Sequence, residues 1–317
     1  MVEKLKQPGS IPELAPLCFF TLVRSIETGR RLRLLLDSLN AFGGRFSRVP
    51  VWVFWSSDYD PTGLMVEYAE QNGVAWMPLE GEESLPQYYF GRKVLACDQA
   101  EEIAAGKVRS LVWLDPSCLV IQPPALFDLQ PGLDAAFRPV HIRNVGSLAA
   151  EPLDGFWEPV YRAIGMKEAP FTIQSFVDGQ IVRPYFNTGL FAIDPAKGLL
   201  RLWLEGFKTL VADQKFQTGP CQSELHRIFL HQAVLSTLVA KLLPVERIRI
   251  LPPEYSYPLH LQREIPDERR SKTLNSLVVA VYEDETPHPD NLGEIEILEP
   301  LRSWLVKELA PETRCGE

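Results

Sequence analysis

The stretch LVWLDPSCLVI, residues 111–121, decides how the chain is read. It is apolar at both ends and carries one carboxylate, Asp115, followed by a proline and a serine. Such a run predicts a strand buried on both faces, as in a parallel sheet covered by helices. A carboxylate at the end of such a strand faces the crevice where open α/β sheets bind ligands. Asp115 and Ser117 stand at i and i+2. Two oxygen ligands at that spacing can clasp a hard divalent cation together with a diphosphate. The same residues also suit a turn capped by Asp115 and favoured by Pro116. Both readings stand at this level.

Working outward, LCFFTLV at 17–23 reads as a buried strand. The segment SIETGRRLRLLLDSLNAFGG then changes period, with Leu32, Leu35, Leu36 and Leu39 on one helical face and Gly43–Gly44 at its end. VPVWVFWSS at 49–57 is a second strand, residues 62–72 a second helix, and GVAWMPL a third strand. This β-α-β-α-β order is that of a parallel sheet with helices on its faces. A helix over 89–105 feeds the 110–121 strand. DAAFRPVHI and YFNTGLFAID read as further strands, and 197–213 and 221–243 as amphipathic helices. LNSLVVAVYED is a late strand, and 294–310 reads as a short strand with a last helix. Residues 151–182 mix turns with Phe156, Trp157, Tyr161, Phe171 and Phe176, aromatics that suit either an acceptor cleft or packing. The expected organisation is an extension at 1–16, one α/β domain over 17–310, and a tail at 311–317.

A net charge of -9 disfavours a nonspecific nucleic-acid binder. No apolar run reaches the ~18 residues of a membrane span, and the charged, proline-bearing start has no signal-peptide character. The five cysteines, Cys18, Cys97, Cys118, Cys221 and Cys315, form no CxxC pair. Reduced, mostly buried thiols in a cytoplasmic protein are expected.

Four blocks in order carry a family resemblance. LVWLDPSCLVI resembles a hydrophobic run ending in D-x-D, and YFNTGLFAIDP at 185–195 resembles an F-N-x-G block. FLHQAVLSTLV at 229–239 resembles a D-Q-x-x-L helix, and LPPEYSYPLHL at 251–261 an L-P-x-x-Y-N segment. Together, over roughly residues 17–285, the chain resembles glycosyltransferases of the GT-A fold, in the glycogenin and lipopolysaccharide galactosyltransferase group (glycosyltransferase family 8). The resemblance implies a GT-A-like α/β fold with a mainly parallel central sheet flanked by helices. It implies transfer of a hexose from a nucleoside diphosphate sugar, UDP-linked, to a hydroxyl acceptor whose identity is not legible, with retained anomeric configuration. Leu22, Val23 and Arg24 would hold the nucleobase and ribose, and Arg92 or Lys93 the donor phosphates. Asp115 would bind donor and metal, Asn187 a sugar hydroxyl, and Gly189 would permit close approach. For Asn187, a turn that bonds its own backbone is the competing reading. Gln232 would lie near the anomeric carbon.

The departures from the family pattern concern charge. D-x-D is Asp115–Pro116–Ser117, and D-Q is His231–Gln232, so two acids are missing. The late metal-binding histidine is absent from VVAVYEDE, where Tyr282 and Glu283 stand, with Glu283 or Asp284 able to compensate. A divalent cation, Mn²⁺ or Mg²⁺, is therefore expected to bind weakly or only with the donor, through Asp115, Ser117 and Glu283. His260 reads as a surface or structural histidine. Without metal, Arg24, Arg92, Lys93 or Arg143 would neutralise the diphosphate. Two other functions compete: a catalytically impaired binding or scaffold protein of this fold, and a nucleotidyltransferase. The latter normally has a glycine-rich phosphate loop after strand one, where LVRSIETGRR carries one glycine.

Overall fold

The computed structural model describes residues 15–56, 73–81, 83, 85, 88–283, 287–290, 292 and 295–310. The expected helix at 62–72, the extension up to residue 14, the tail at 311–317, Asp284 and Cys315 lie outside them.

Strand β1 (Ala15–Val23) leads into helix α1 (Ile26–Phe42). A reciprocal box starts the helix: Ser25 Oγ accepts the Thr28 N–H at 3.2 Å, and Thr28 Oγ1 accepts the Ser25 N–H at 2.9 Å. The helix ends at Gly43, where a Cβ would lie 2.3 Å from the Leu39 carbonyl oxygen. Strands β2 (Val51–Trp55) and β3 (Val74–Pro78) follow, then helix α2 (Gly91–Ala104) and strand β4 (Val108–Leu114). In β4 successive side chains enter opposite cores, Leu111 and Trp113 on one side and Val112 and Leu114 on the other. That double burial is what its unbroken apolar sequence encodes.

The 110–121 stretch is not one strand. Asp115 Oδ1 accepts the Ser117 N–H at 3.1 Å and its Oγ–H at 2.8 Å, and the Cys118 N–H donates to Asp115 O at 2.9 Å. This turn ends β4, and the chain resumes as β5 (Cys118–Val120) in a separate sheet. Strand β6 (Ala135–Pro139) and helix α3 (Trp157–Ile164) come next, then a small ribbon of β7 (Ile173–Gln174) and β8 (Ile181–Val182). After β9 (Phe186–Ile193) come helices α4 (Leu199–Ala212), α5 (Gln214–Thr218) and α6 (Glu224–Leu242). Strands β10 (Ile248–Ile250), β11 (Tyr255–Pro258) and β12 (Val279–Val281) precede helix α7 (Leu301–Glu308). The short strand expected before α7 is only an isolated bridge between Thr273 and Glu296.

The main sheet has the order β10-β6-β9-β4-β1-β2-β3. All its pairings are parallel except the two made by β9, which runs antiparallel to β4 and β6. The second sheet is β11-β12-β5. Among the helices on one face, α2 packs on α4, α4 on α6 and α3 on α6, while α1 packs on β5. This is an α/β fold with a mainly parallel central sheet flanked by helices. Phe156, Trp157 and Tyr161 lie in the core, so packing accounts for these aromatics. None of the described helices is long and apolar enough to cross a membrane, and the four described cysteines are buried and free.

One buried acid holds two helices together. Glu101 of α2, 3% exposed, accepts the Leu200 and Arg201 N–H groups at 3.1 and 2.9 Å, so it caps α4 from a distance. Burial raises its pKa from 4.5 to about 7, against the opposing effect of those N–H groups. The raised value means that its contribution to stability is full below about 4.5 and is lost as pH rises through about 7. Glu101→Gln is expected to flatten this dependence. Urea unfolding at pH 5 and pH 8 should show the stability difference shrinking by up to about 3 kcal/mol relative to the unaltered chain. An unchanged difference would show that Glu101 has the same affinity for protons in both states.

Candidate active site

The carboxyl ends of β1, β4 and β6, the start of β9 and the end of β12 converge on a cleft of about 860 Å³. Leu22, Arg24, Arg92, Lys93, Asp115, Ser117, Asn187, Gly189, Gln232 and Glu283 all line it. Val23 does not: its side chain is fully buried in the core below, because alternate residues of β1 face opposite sides. Arg143 is also outside the cleft wall, with its backbone N–H donating to the Asp178 carboxylate at 3.0 Å. Its neighbour Asn144 lines the wall instead.

Lys93 is the buried cation of the site, 5% exposed. It projects from the first turn of α2 and donates from Nζ to Thr188 O at 2.5 Å. Its Nζ lies 4.8 Å from the centre of the Trp113 ring and 5.8 Å from that of Phe90. Burial lowers its pKa and the Asp115 carboxylate opposes that shift.

The Asn187 side chain makes the competing turn contact, with Oδ1 accepting the Gly189 N–H at 2.6 Å. Its amide nitrogen is 3.4 Å from His141 Nδ1. His141 Nε2 lies 2.6 Å from Ser256 O, so Nε2 carries the proton and Nδ1 is the acceptor facing Asn187. Burial, with Arg138 nearby, pushes the His141 pKa down to about 3, so the ring is neutral. His231 follows the same logic. Nδ1 donates to Ile228 O at 2.8 Å, leaving Nε2 to accept from Thr188 Oγ1 at 2.9 Å. Burial and the charge of Lys93 hold its pKa well below the ordinary value. The place of the family's acid in D-Q is therefore taken by a neutral imidazole stacked on Phe90, with ring centres 4.2 Å apart.

His260 lines the cleft at 23% side-chain exposure, with Nε2 3.6 Å from the Glu283 carboxylate and Nδ1 enclosed without a hydrogen-bond partner among the described residues. His141 and Thr188 were not singled out by motif. The only local signal for His141 was its position at the end of an apolar strand. Three non-glycine residues hold positive φ among the described residues: Phe90 at 59°, Asn144 at 47° and Ser256 at 61°. The first two line the cleft, and the third supplies the carbonyl that fixes His141. Backbone strain of this kind concentrates where structure is held for function.

Among the described residues no group of three His, Cys, Asp or Glu is placed to hold an ion. One Asp115 oxygen already accepts twice from Ser117, and the Ser117 hydroxyl is turned into that bond. Glu283 is 70% exposed and faces His260.

Gly189 admits the Asn187 carboxamide: a Cβ there would meet Oδ1 at 3.0 Å. Gly189→Ala is expected to displace that amide and weaken sugar-donor binding by roughly tenfold while leaving the fold intact. Donor affinity and unfolding temperature, measured together, check it; unchanged donor affinity would show that the close contact has no part in binding.

A sheet of this order carries a ligand-sized cleft at its strand ends. The chain belongs to the Rhodobacterales glycosyltransferase domain family, which it matches over residues 32–242, and it is an enzyme of glycosyl transfer rather than a nucleotidyltransferase. Among solved structures it is similar in fold to the galactosyltransferase LgtC in complex with donor and acceptor sugar analogues. That likeness has 12% identity, a TM-score of 0.52 and coverage of 93% of this chain and 98% of that one. It is also similar in fold to mouse xyloside xylosyltransferase 1 in its apo form, at 13% identity, a TM-score of 0.50 and coverage of 86% and 99%. No curated protein matches by sequence.

Proposed function

We propose that the enzyme transfers a hexose from a UDP-linked donor to a hydroxyl acceptor with retention of anomeric configuration. The observation that carries the donor class is the charge of the cleft. In a chain of net charge -9, its wall carries Arg24, Arg31, Arg92 and Lys93 against the two carboxylates of Asp115 and Glu283. A cationic cleft in an acidic protein suits a diphosphate. Lys93 and Arg92 meet the phosphates, Leu22 and Arg24 the nucleoside, and Asp115 the donor's hydroxyls. Asn187 and Gln232 orient the sugar, with Gly189 giving it room.

In the transfer, the bond from the anomeric carbon to the diphosphate oxygen breaks as the acceptor oxygen bonds that carbon on the same face. The acceptor proton passes to the departing diphosphate. Negative charge grows on that diphosphate, so fixed cations beside it lower the barrier. Among the described residues the cleft's carboxylates are Asp115, bonded to Ser117, and Glu283, facing His260, and neither is an evident nucleophile, which favours the front-face course over a double displacement. A divalent cation is weakly held or arrives with the donor, because among the described residues the cleft offers only the half-buried carboxylate of Asp115 and the exposed one of Glu283. The buried free thiols suit a reducing, cytoplasmic setting.

Calorimetry with UDP, with and without Mn²⁺, followed by transfer and hydrolysis assays on UDP-hexoses, tests the reading. Saturable UDP binding and turnover of a UDP-hexose are expected. Binding without turnover of any donor, or preference for a non-uridine nucleotide, would overturn it.

A further inference from the structure

A second cavity, of about 450 Å³, shares no lining residue with the first. Its walls come from β6, the β7–β8 ribbon, the loop before β11 and residues 268–269. Arg138 of β6 lines it and is 5% exposed. Its Nε is enclosed without a hydrogen-bond partner, and its guanidinium makes no hydrogen bond or ion pair with any described residue. The guanidinium carbon lies 5.0 Å from the centre of the Phe176 ring. Burial lowers the Arg138 pKa to about 10, so the group is still cationic at neutral pH. The carboxylates of Glu254 and Glu268 also line the cavity but are exposed, and Glu254 acts on Arg138 only through space. A buried charge normally has a partner, because leaving water without one is costly.

We propose that this cavity is an oxyanion site in which Arg138 receives a carboxylate or phosphate group, with Arg269 as a second cation. A planar guanidinium with its donors uncommitted is suited to bidentate binding of such a group. Arg269 is held at the wall by donating from Nη1 to Phe176 O at 3.0 Å. The same wall backs onto the catalytic cleft. The Phe176 N–H donates to Val140 O at 3.1 Å and the Val177 N–H to His141 O at 2.7 Å, and Val140 and His141 line that cleft. The site does not depend on the identity of the sugar donor.

Thermal unfolding with inorganic phosphate or acetate, against chloride at matched ionic strength, tests it, and the two salts separate the phosphate and carboxylate sources. A saturable rise in unfolding temperature is expected with at least one of them. Arg138→Met should weaken that binding by roughly tenfold or more and Arg269→Gln by several-fold. No saturable rise with either salt, or equal affinity in the unaltered chain and Arg138→Met, overturns the site. If Arg138→Met does not fold, unchanged affinity in Arg269→Gln overturns it.

Discussion

Lys93→Met is expected to lower sugar transfer by on the order of 10²–10³, the loss that follows removal of one fixed donor to developing negative charge. Among the described residues the lysine is the only buried cation lining the catalytic cleft; Arg24, Arg31 and Arg92 are all more exposed. A charge withdrawn from water acts more strongly on a departing diphosphate than a solvated one does. The substitution removes two things, the charge and the hydrogen bond to Thr188 O. Kinetics separate them. Loss of charge stabilisation in the transition state lowers kcat more than it weakens UDP binding, whereas a displaced Thr188 turn would raise KM for the donor with kcat kept. Lys93→Arg should rescue poorly, since a larger guanidinium does not fit among Phe90, Trp113 and Thr188 without displacing them. Turnover within a few-fold of the unaltered enzyme would remove Lys93 from the mechanism.

The second large effect is expected at Asp115. Asp115→Ala should abolish detectable transfer, and Asp115→Asn should do nearly the same while keeping the turn, since a carboxamide oxygen still accepts from Ser117. Either variant loses the negative charge of the half-buried Asp115, which opposes Lys93 and which the cleft's other described carboxylate, the exposed Glu283, does not replace. Mn²⁺ titrations distinguish its role toward metal. The unaltered chain should bind Mn²⁺ appreciably only with UDP present, because the diphosphate must supply the oxygens the protein lacks. Each Asp115 variant should weaken that donor-dependent binding by at least the roughly 10–100-fold that loss of even an outer-shell partner causes. Tight Mn²⁺ binding without UDP, unchanged in Asp115→Ala, would place the metal centre elsewhere in the chain.

Both predictions turn on charges whose partners are distant in sequence. Nothing in GRKVLACDQA distinguishes Lys93 from Arg92 as the buried cation. The distinction arises because the helix face bearing Lys93 turns onto β4 and β9, where Thr188 O and Trp113 meet it. His231 is similar. Its sequence position marks a missing acid, but its neutrality follows from burial and a nearby lysine, against the opposing effect of a carbonyl one turn back. His260, which its local sequence marks as a surface or structural histidine, is carried to the cleft beside Glu283 by the approach of β11 to β12.

The sequence by itself determined the elements whose signal is local. The alternation of β1 to β4 with helices, the Ser25 box that starts α1, and the apolar run of β4 follow from periodicity and capping, which act within a few residues. It also determined where the motif residues stand, since the ends of buried strands are where ligands collect. Only the tertiary structure decided that Asp115 closes one strand and opens another in a different sheet. It also decided that β9 runs against its neighbours and that Val23 faces the core while Leu22 faces the cleft. These outcomes depend on pairing and burial between segments far apart along the chain. No window of residues contains the partners whose contact energies settle them.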